Sequence, residues 1–120
     1  MTKVKESSTQ NLNKHISEMI CPITYTMNKV SGHWKPIILF HLMSGPKRYS
    51  TIMRDIPAIT EKMLVQHLKQ LQEDNLISKK AIIAPPNSVY SLTESGEELA
   101  PILMAMAKWA MKDNKQYADF

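Results

Sequence analysis

The chain has 120 residues, of which 43% are hydrophobic and 22% charged, with one cysteine and a formal net charge of +4. This is the balance of one globular domain with room for a core. Its apolar runs are too short and broken to span a membrane, and the polar opening MTKVKESSTQNLNKH lacks the apolar segment of a secretory signal. A lone Cys21 excludes an intramolecular disulfide and a multi-cysteine zinc site. A cytoplasmic protein is expected.

The charge is unevenly placed. Residues 29–80 hold nine basic and four acidic residues, whereas the remainder holds six and seven. A polyanion-facing centre with differently employed flanks is implied.

In chain order, residues 1–11 read as a flexible tail. Leu12, Ile16, Met19 and Ile20 recur at helical spacing. Cys21-Pro22 interrupts that helix, and Pro22 can open the next, which runs to about Val30 and stops at Gly32. The apolar run Trp34 to Met43 reads as a buried helix, closed by Ser44-Gly45-Pro46. Lys47-Arg48-Tyr49 is a short extended piece. Ser50 is then the expected N-cap of a helix Thr51–Ile56, with Ile52, Met53 and Ile56 inward.

After a turn at Pro57-Ala58-Ile59, Thr60 caps a longer helix from Glu61 to about Asp74, and Asn75 ends it in a left-handed conformation. Leu64, Leu68 and Leu71 form its apolar stripe, while Lys62, Val65, Gln66, Lys69 and Glu73 lie opposite. Ile77–Ala84 and Val89–Leu92 read as strands of a hairpin turning at Pro85-Pro86-Asn87-Ser88. Thr93 caps a last helix, Glu94 to Asp113, with acids in its first turn and lysines in its last. One structured domain over 12–113 follows, with a tail at 114–120.

This order describes an α+β, mainly α, winged helix-turn-helix. The 51–56 helix braces the 61–74 helix, whose solvent face is offered to a DNA major groove. Thr60 can donate to a phosphate together with the free amides of the helix start. Lys62 suits guanine and Gln66 adenine, Lys69 suits a phosphate, and Glu61 and Val65 share the exposed face. Lys47, Arg48 and Ser50 precede this helix and belong to the same candidate DNA surface. Lys79 and Lys80, at the hairpin base, would neutralise phosphates, and Asn87 at its tip would reach the minor groove.

The residues also resemble a known family. Cys21-Pro22, Gly32-His33-Trp34-Lys35, Gly45-Pro46-Lys47-Arg48-Tyr49, Ile59-Thr60-Glu61-Lys62-Met63-Leu64, Leu68-Lys69-Gln70-Leu71, Pro85-Pro86, Tyr90-Ser91-Leu92-Thr93 and Gly96 are similar, in order, to the HxlR-type bacterial transcription regulators. The match covers about residues 21–112. Asn87-Ser88-Val89 departs from the family's more usual basic, apolar, acidic run before Tyr90. The resemblance implies a dimeric DNA-binding regulator with an architecture related to MarR-type proteins.

The last helix carries more apolar residues than one buried face needs. Leu99, Ile102, Leu103, Met106 and Ala110 form a stripe, extended by Met104, Ala107 and Met111, with Trp109 beside it. With the segment 12–30, Leu12, Ile16, Met19 and Ile20 included, it is expected to make a two-fold dimer interface, which places two recognition helices about 34 Å apart. The competing reading packs this helix on the 12–20 helix of its own chain.

Cys21 reads either as a small buried apolar residue or as a redox sensor whose thiol is acidified by the adjoining helix start. In the resembled family, some members sense oxidants or quinones with the cysteine at this position. His15, His33, His41 and His67 have no metal-binding spacing, and His41 reads as a hydrogen-bonded core residue. The three glycines are isolated and no nucleophile motif occurs, so no enzyme, cofactor or metal is expected.

The leading expectation is a homodimeric, sequence-specific regulator of transcription on double-stranded operator DNA. Repression is the default, since no activation domain is evident, and release would come from an oxidant at Cys21 or a small ligand. The alternatives are a dimeric protein–protein adaptor on the same scaffold, which has no DNA contact, and a ligand-binding protein with no DNA role.

Overall fold

The computed structural model describes residues 12, 16, 19, 21–81 and 88–117. The chain divides into two compact units, Met1–Gly32 and His33–Phe120. In the first, Leu12, Ile16 and Met19 are helical and exposed, while Ile20 lies outside the described residues. Helix α1 spans Pro22–Val30. Proline disfavours a helical conformation at the residue before it, and Cys21 is extended (φ −136°, ψ 116°) and becomes the N-cap.

The second unit holds α2 (Trp34–Leu42), β1 (Lys47–Arg48), α3 (Tyr49–Asp55), α4 (Glu61–Glu73), β2 (Ile77–Ala81), β3 (Ser88–Leu92) and α5 (Glu94–Asp113). A 3-10 turn, Lys115–Tyr117, opens the stretch expected to be a tail. The strands form one antiparallel sheet in the order β1-β3-β2. This is the mainly helical winged helix-turn-helix that the element order predicts: α3, the turn and α4, then the β2–β3 wing. Residues 82–87, with the expected end of the strand and the wing turn, lie outside the described residues.

The core is built from one face of each helix. Ile38, Leu39 and Leu42 of α2, Ile52 of α3, and Leu64, Leu68 and Leu71 of α4 are fully buried. Burying each stabilises the fold by about 1.5–3 kcal/mol before entropy is set against it. Ile56 and Ile59 plug the turn between α3 and α4, and Leu76, Ile77 and Tyr90 close the sheet side.

Both ends of α4 are fixed by local chemistry. The Thr60 hydroxyl accepts from the Met63 amide at 3.2 Å. At the other end Asn75 takes φ +58°, and its amide donates to Gln72 while the Leu76 amide reaches back to Leu71. That pair of bonds is a Schellman cap, sealed by the buried side chains of Leu71 and Leu76. Thr93 caps α5 by accepting from the Gly96 amide at 3.1 Å, and its hydroxyl donates to the Asn75 carbonyl at 2.6 Å.

Several expectations need correction. Ser50 is not the cap of α3. Arg48 is, in an extended conformation (φ −73°, ψ 153°), because β1 pairs with β3 and holds Arg48 opposite Val89. The helix therefore starts at Tyr49, and Ser50 is exposed within its first turn. The brace for α4 comes chiefly from α2 and β2 rather than from α3. Helix α3 is only seven residues long and contributes one buried residue, Ile52, whereas α2 contributes three. His41 is not a core residue. It is half-buried and edge-on to Phe40, which is itself 40% exposed.

Candidate nucleic-acid interface

Helix α4 separates an apolar face from a polar one, with Met63, 36% exposed, and half-buried His67 at the border. Leu64, Leu68 and Leu71 point into the core, and Lys62, Val65, Gln66 and Lys69 are all exposed. These four stand at i, i+3, i+4 and i+7, so they form one stripe along the helix. Thr60 and Glu61 are exposed at its start, where the helix leaves amides without intrahelical partners. The capping bond occupies an acceptor position of the Thr60 hydroxyl and leaves its proton free to donate.

The residues before α4 are placed differently. Arg48 and Ser50 are exposed. Lys47 is half-buried and its ammonium lies 2.5 Å from the Asp55 carboxylate, so its charge is spent within the fold. That hydrogen bond holds Asp55 below the ordinary carboxylate range against the opposing effect of burial, and the charges of Lys47, His41 and Arg54 add to the lowering. Tyr49, the first residue of α3, has a buried hydroxyl with no hydrogen-bond partner. Burial raises its pKa, and the charge of Glu61 adds to the shift. Sequence reasoning missed both the Lys47–Asp55 brace and the Tyr49 hydroxyl, since neither follows from helical spacing.

On the wing, Lys79 and Lys80 are exposed within β2, opposite Tyr90 and Val89 of β3. They stand in the strand itself rather than at the hairpin base, and adjacent strand residues point to opposite faces of a sheet. They therefore do not act as one cationic pair. Asn87 lies outside the described residues. Ser78 and Ser91 share a cross-strand hydrogen bond of 3.2 Å.

Helix α5 does not present one wide stripe. Leu99, Leu103 and Ala110 are half-buried, whereas Ile102, Met106 and Trp109 are exposed, at 52%, 48% and 67%. These three stand at i, i+4 and i+7, and Met104 beside them is exposed as well, at 37%. Open depressions adjoin this helix. One, of about 370 Å³, is an apolar trough between α2 and α5 at Pro36, Ile37, Phe40 and Leu103. Another, of about 680 Å³, lies between the Gly45-Pro46 turn, β3 and α5, with the Glu97 carboxylate on its wall.

Cys21 is half-buried at the N-cap of α1. The amides of Thr24 and Ile23, with the Thr24 hydroxyl, lower its thiol pKa against a smaller effect of burial. Among the described residues no cluster of His, Cys, Asp or Glu is placed to hold a metal ion, and no helix is long and apolar enough to cross a membrane.

Comparison with known proteins agrees with this architecture. The profile of the HxlR-like helix-turn-helix family matches residues 29–118. The chain is 46% identical over 95 residues to the putative regulatory protein MalR of Fusobacterium mortiferum, covering 78% of this chain and 90% of that protein. It is 44% identical over 90 residues to YkvN of Bacillus subtilis (strain 168), an uncharacterised HTH-type transcriptional regulator, covering 74% and 76%. Among solved structures it is similar to the redox regulator HypR in its oxidised form, with a TM-score of 0.71, 36% identity, and 78% and 97% of the two chains covered. The chain thus belongs to the HxlR-like helix-turn-helix family of transcriptional regulators.

Proposed function

We propose that the chain is a homodimeric, sequence-specific DNA-binding repressor of the cytoplasm, which occludes a promoter by gripping two operator half-sites. The observation that carries this reading is the exposed stripe of α4, cationic at Lys62 and Lys69 and backed by a fully buried leucine face. Thr60 and the amides at the helix start hold a phosphate. Lys62 and Gln66 meet base edges, and Lys69 meets a second phosphate. Arg48, Ser50, Glu61 and, from the wing, Asn87 with whichever of Lys79 and Lys80 is on the face turned to the duplex complete the contact surface. Two exposed apolar stripes, Leu12/Ile16/Met19 and Ile102/Met106/Trp109, support pairing of two chains.

Release of DNA is proposed to follow modification of the Cys21 thiol or entry of a small ligand into the groove beside Glu97. The acidified thiol and the similarity to a protein described as a redox regulator favour the first route.

The test is fluorescence anisotropy on the protein's own upstream DNA and on a scrambled duplex, across a salt series and with diamide. Preferential binding that weakens with salt is the expected result. Diamide should abolish it in the native chain and not in Cys21→Ser. Insensitivity of both would move release to the ligand route. Equal, weak binding to both duplexes, with Lys62→Ala and Gln66→Ala without effect, would overturn the DNA reading.

A further inference from the structure

Val65 is out of character with its surroundings. It is 53% exposed in the middle of α4, with Lys62, Gln66 and Lys69 around it on the same face. A β-branched residue in a helix costs about half a kcal/mol relative to alanine, and one that is half exposed recovers little of that from the core. No fold requirement calls for valine there. The stripe also lacks both side chains that most often read bases in a bidentate manner alongside lysine and glutamine, for α4 contains no Arg and no Asn. Its one apolar group is short and rigid, and the longer Lys62, Gln66 and Lys69 reach past it. Its methyl groups can be covered only by something that projects toward the helix between the partners of those side chains. In a major groove, the apolar group that projects from a base edge is the C5-methyl of thymine. The flanking lysines complement the phosphates of the same duplex, which selects DNA over an apolar protein surface.

We propose that Val65 is a specificity residue that packs on the C5-methyl group of a thymine in each operator half-site. The inference rests on the DNA-binding reading above and deepens it by fixing one base pair of the operator.

The experiment uses the full chain to select binders from a randomised duplex library. Each thymine of the selected duplex is then replaced singly by deoxyuridine, which removes the methyl group and keeps the pairing. One thymine per half-site should weaken binding about fourfold on replacement, as expected for one buried methyl group, and replacement in both half-sites about sixteenfold. In Val65→Ala, which keeps the helix because alanine favours it, that penalty should vanish, and the thymine duplex should bind more weakly than it does to the native chain. Lys62→Ala should weaken thymine and deoxyuridine duplexes by the same factor. If no replacement weakens native binding, or if Val65→Ala retains the same penalty, the Val65 assignment falls and the DNA reading stands. If selection enriches no sequence, both fall.

Discussion

Asp55 and Lys47 stand eight residues apart, yet their side chains meet at 2.5 Å and tie β1 to the last turn of α3. Because the folded carboxylate titrates below its ordinary value, its contribution to stability is present above the unfolded pKa and is lost as pH falls through the folded one. Asp55→Asn should therefore unfold more easily than the native chain at neutral pH. The difference should shrink below about pH 4 and disappear once both chains carry an uncharged side chain. Thermal unfolding over a pH series reads this directly, and a difference that persists in strong acid would show that the pair acts by some other means. The same brace explains why Lys47, basic and beside the recognition surface, is unlike its neighbour Arg48. One is neutralised inside the fold, and the other is exposed.

At the scale of elements, the junction of α4, β2 and α5 decides how the wing is hung. Thr93 bonds the Asn75 carbonyl, its amide donates to the Leu76 carbonyl, and Gly96 passes close above that same carbonyl. A Cβ at Gly96 would run into backbone that cannot move aside as a flexible side chain can. Gly96→Ala should thus cost about 1–3 kcal/mol of stability, despite alanine being the better helix former. Urea denaturation provides the measure, and an unchanged or raised midpoint would mean that the approach is looser than described. Pro101, within α5, removes one helical donor and leaves the Glu97 carbonyl without its usual partner beside the groove.

For the molecule as a whole, the exposed row Ile102, Met106 and Trp109 is where assembly is expected to be decided. A row of three large apolar side chains gains by being covered, and in the proposed dimer a two-fold partner would cover it with its own copy. Met106→Asp places a charge there without touching the core, since Met106 is 48% exposed in the single chain. Sedimentation should show a shift to monomer, and operator affinity should fall by about a hundredfold or more as the second half-site ceases to be held by the first. A variant that remains dimeric would relocate the interface away from this row.

What the sequence determined by itself is whatever closes within a few residues. The Thr60 and Thr93 caps, the left-handed Asn75, the leucine stripe of α4 and its exposed counter-stripe all depend on neighbours within about four positions, and all could be read from spacing. The order of elements, with a tight turn followed by a hairpin, carried the fold class for the same reason. Only the tertiary structure decided what depends on distant partners. Pairing of β1 with β3, across more than forty residues, moved the cap of α3 from Ser50 to Arg48. The brace of Lys47 and Asp55, the buried hydroxyl of Tyr49 and the close approach at Gly96 arise where separate elements meet. The apolar girth of α5 could be counted in the sequence, but which side of it faces inward is settled by packing against α2, because periodicity marks that a face exists and says nothing of the surface that will cover it.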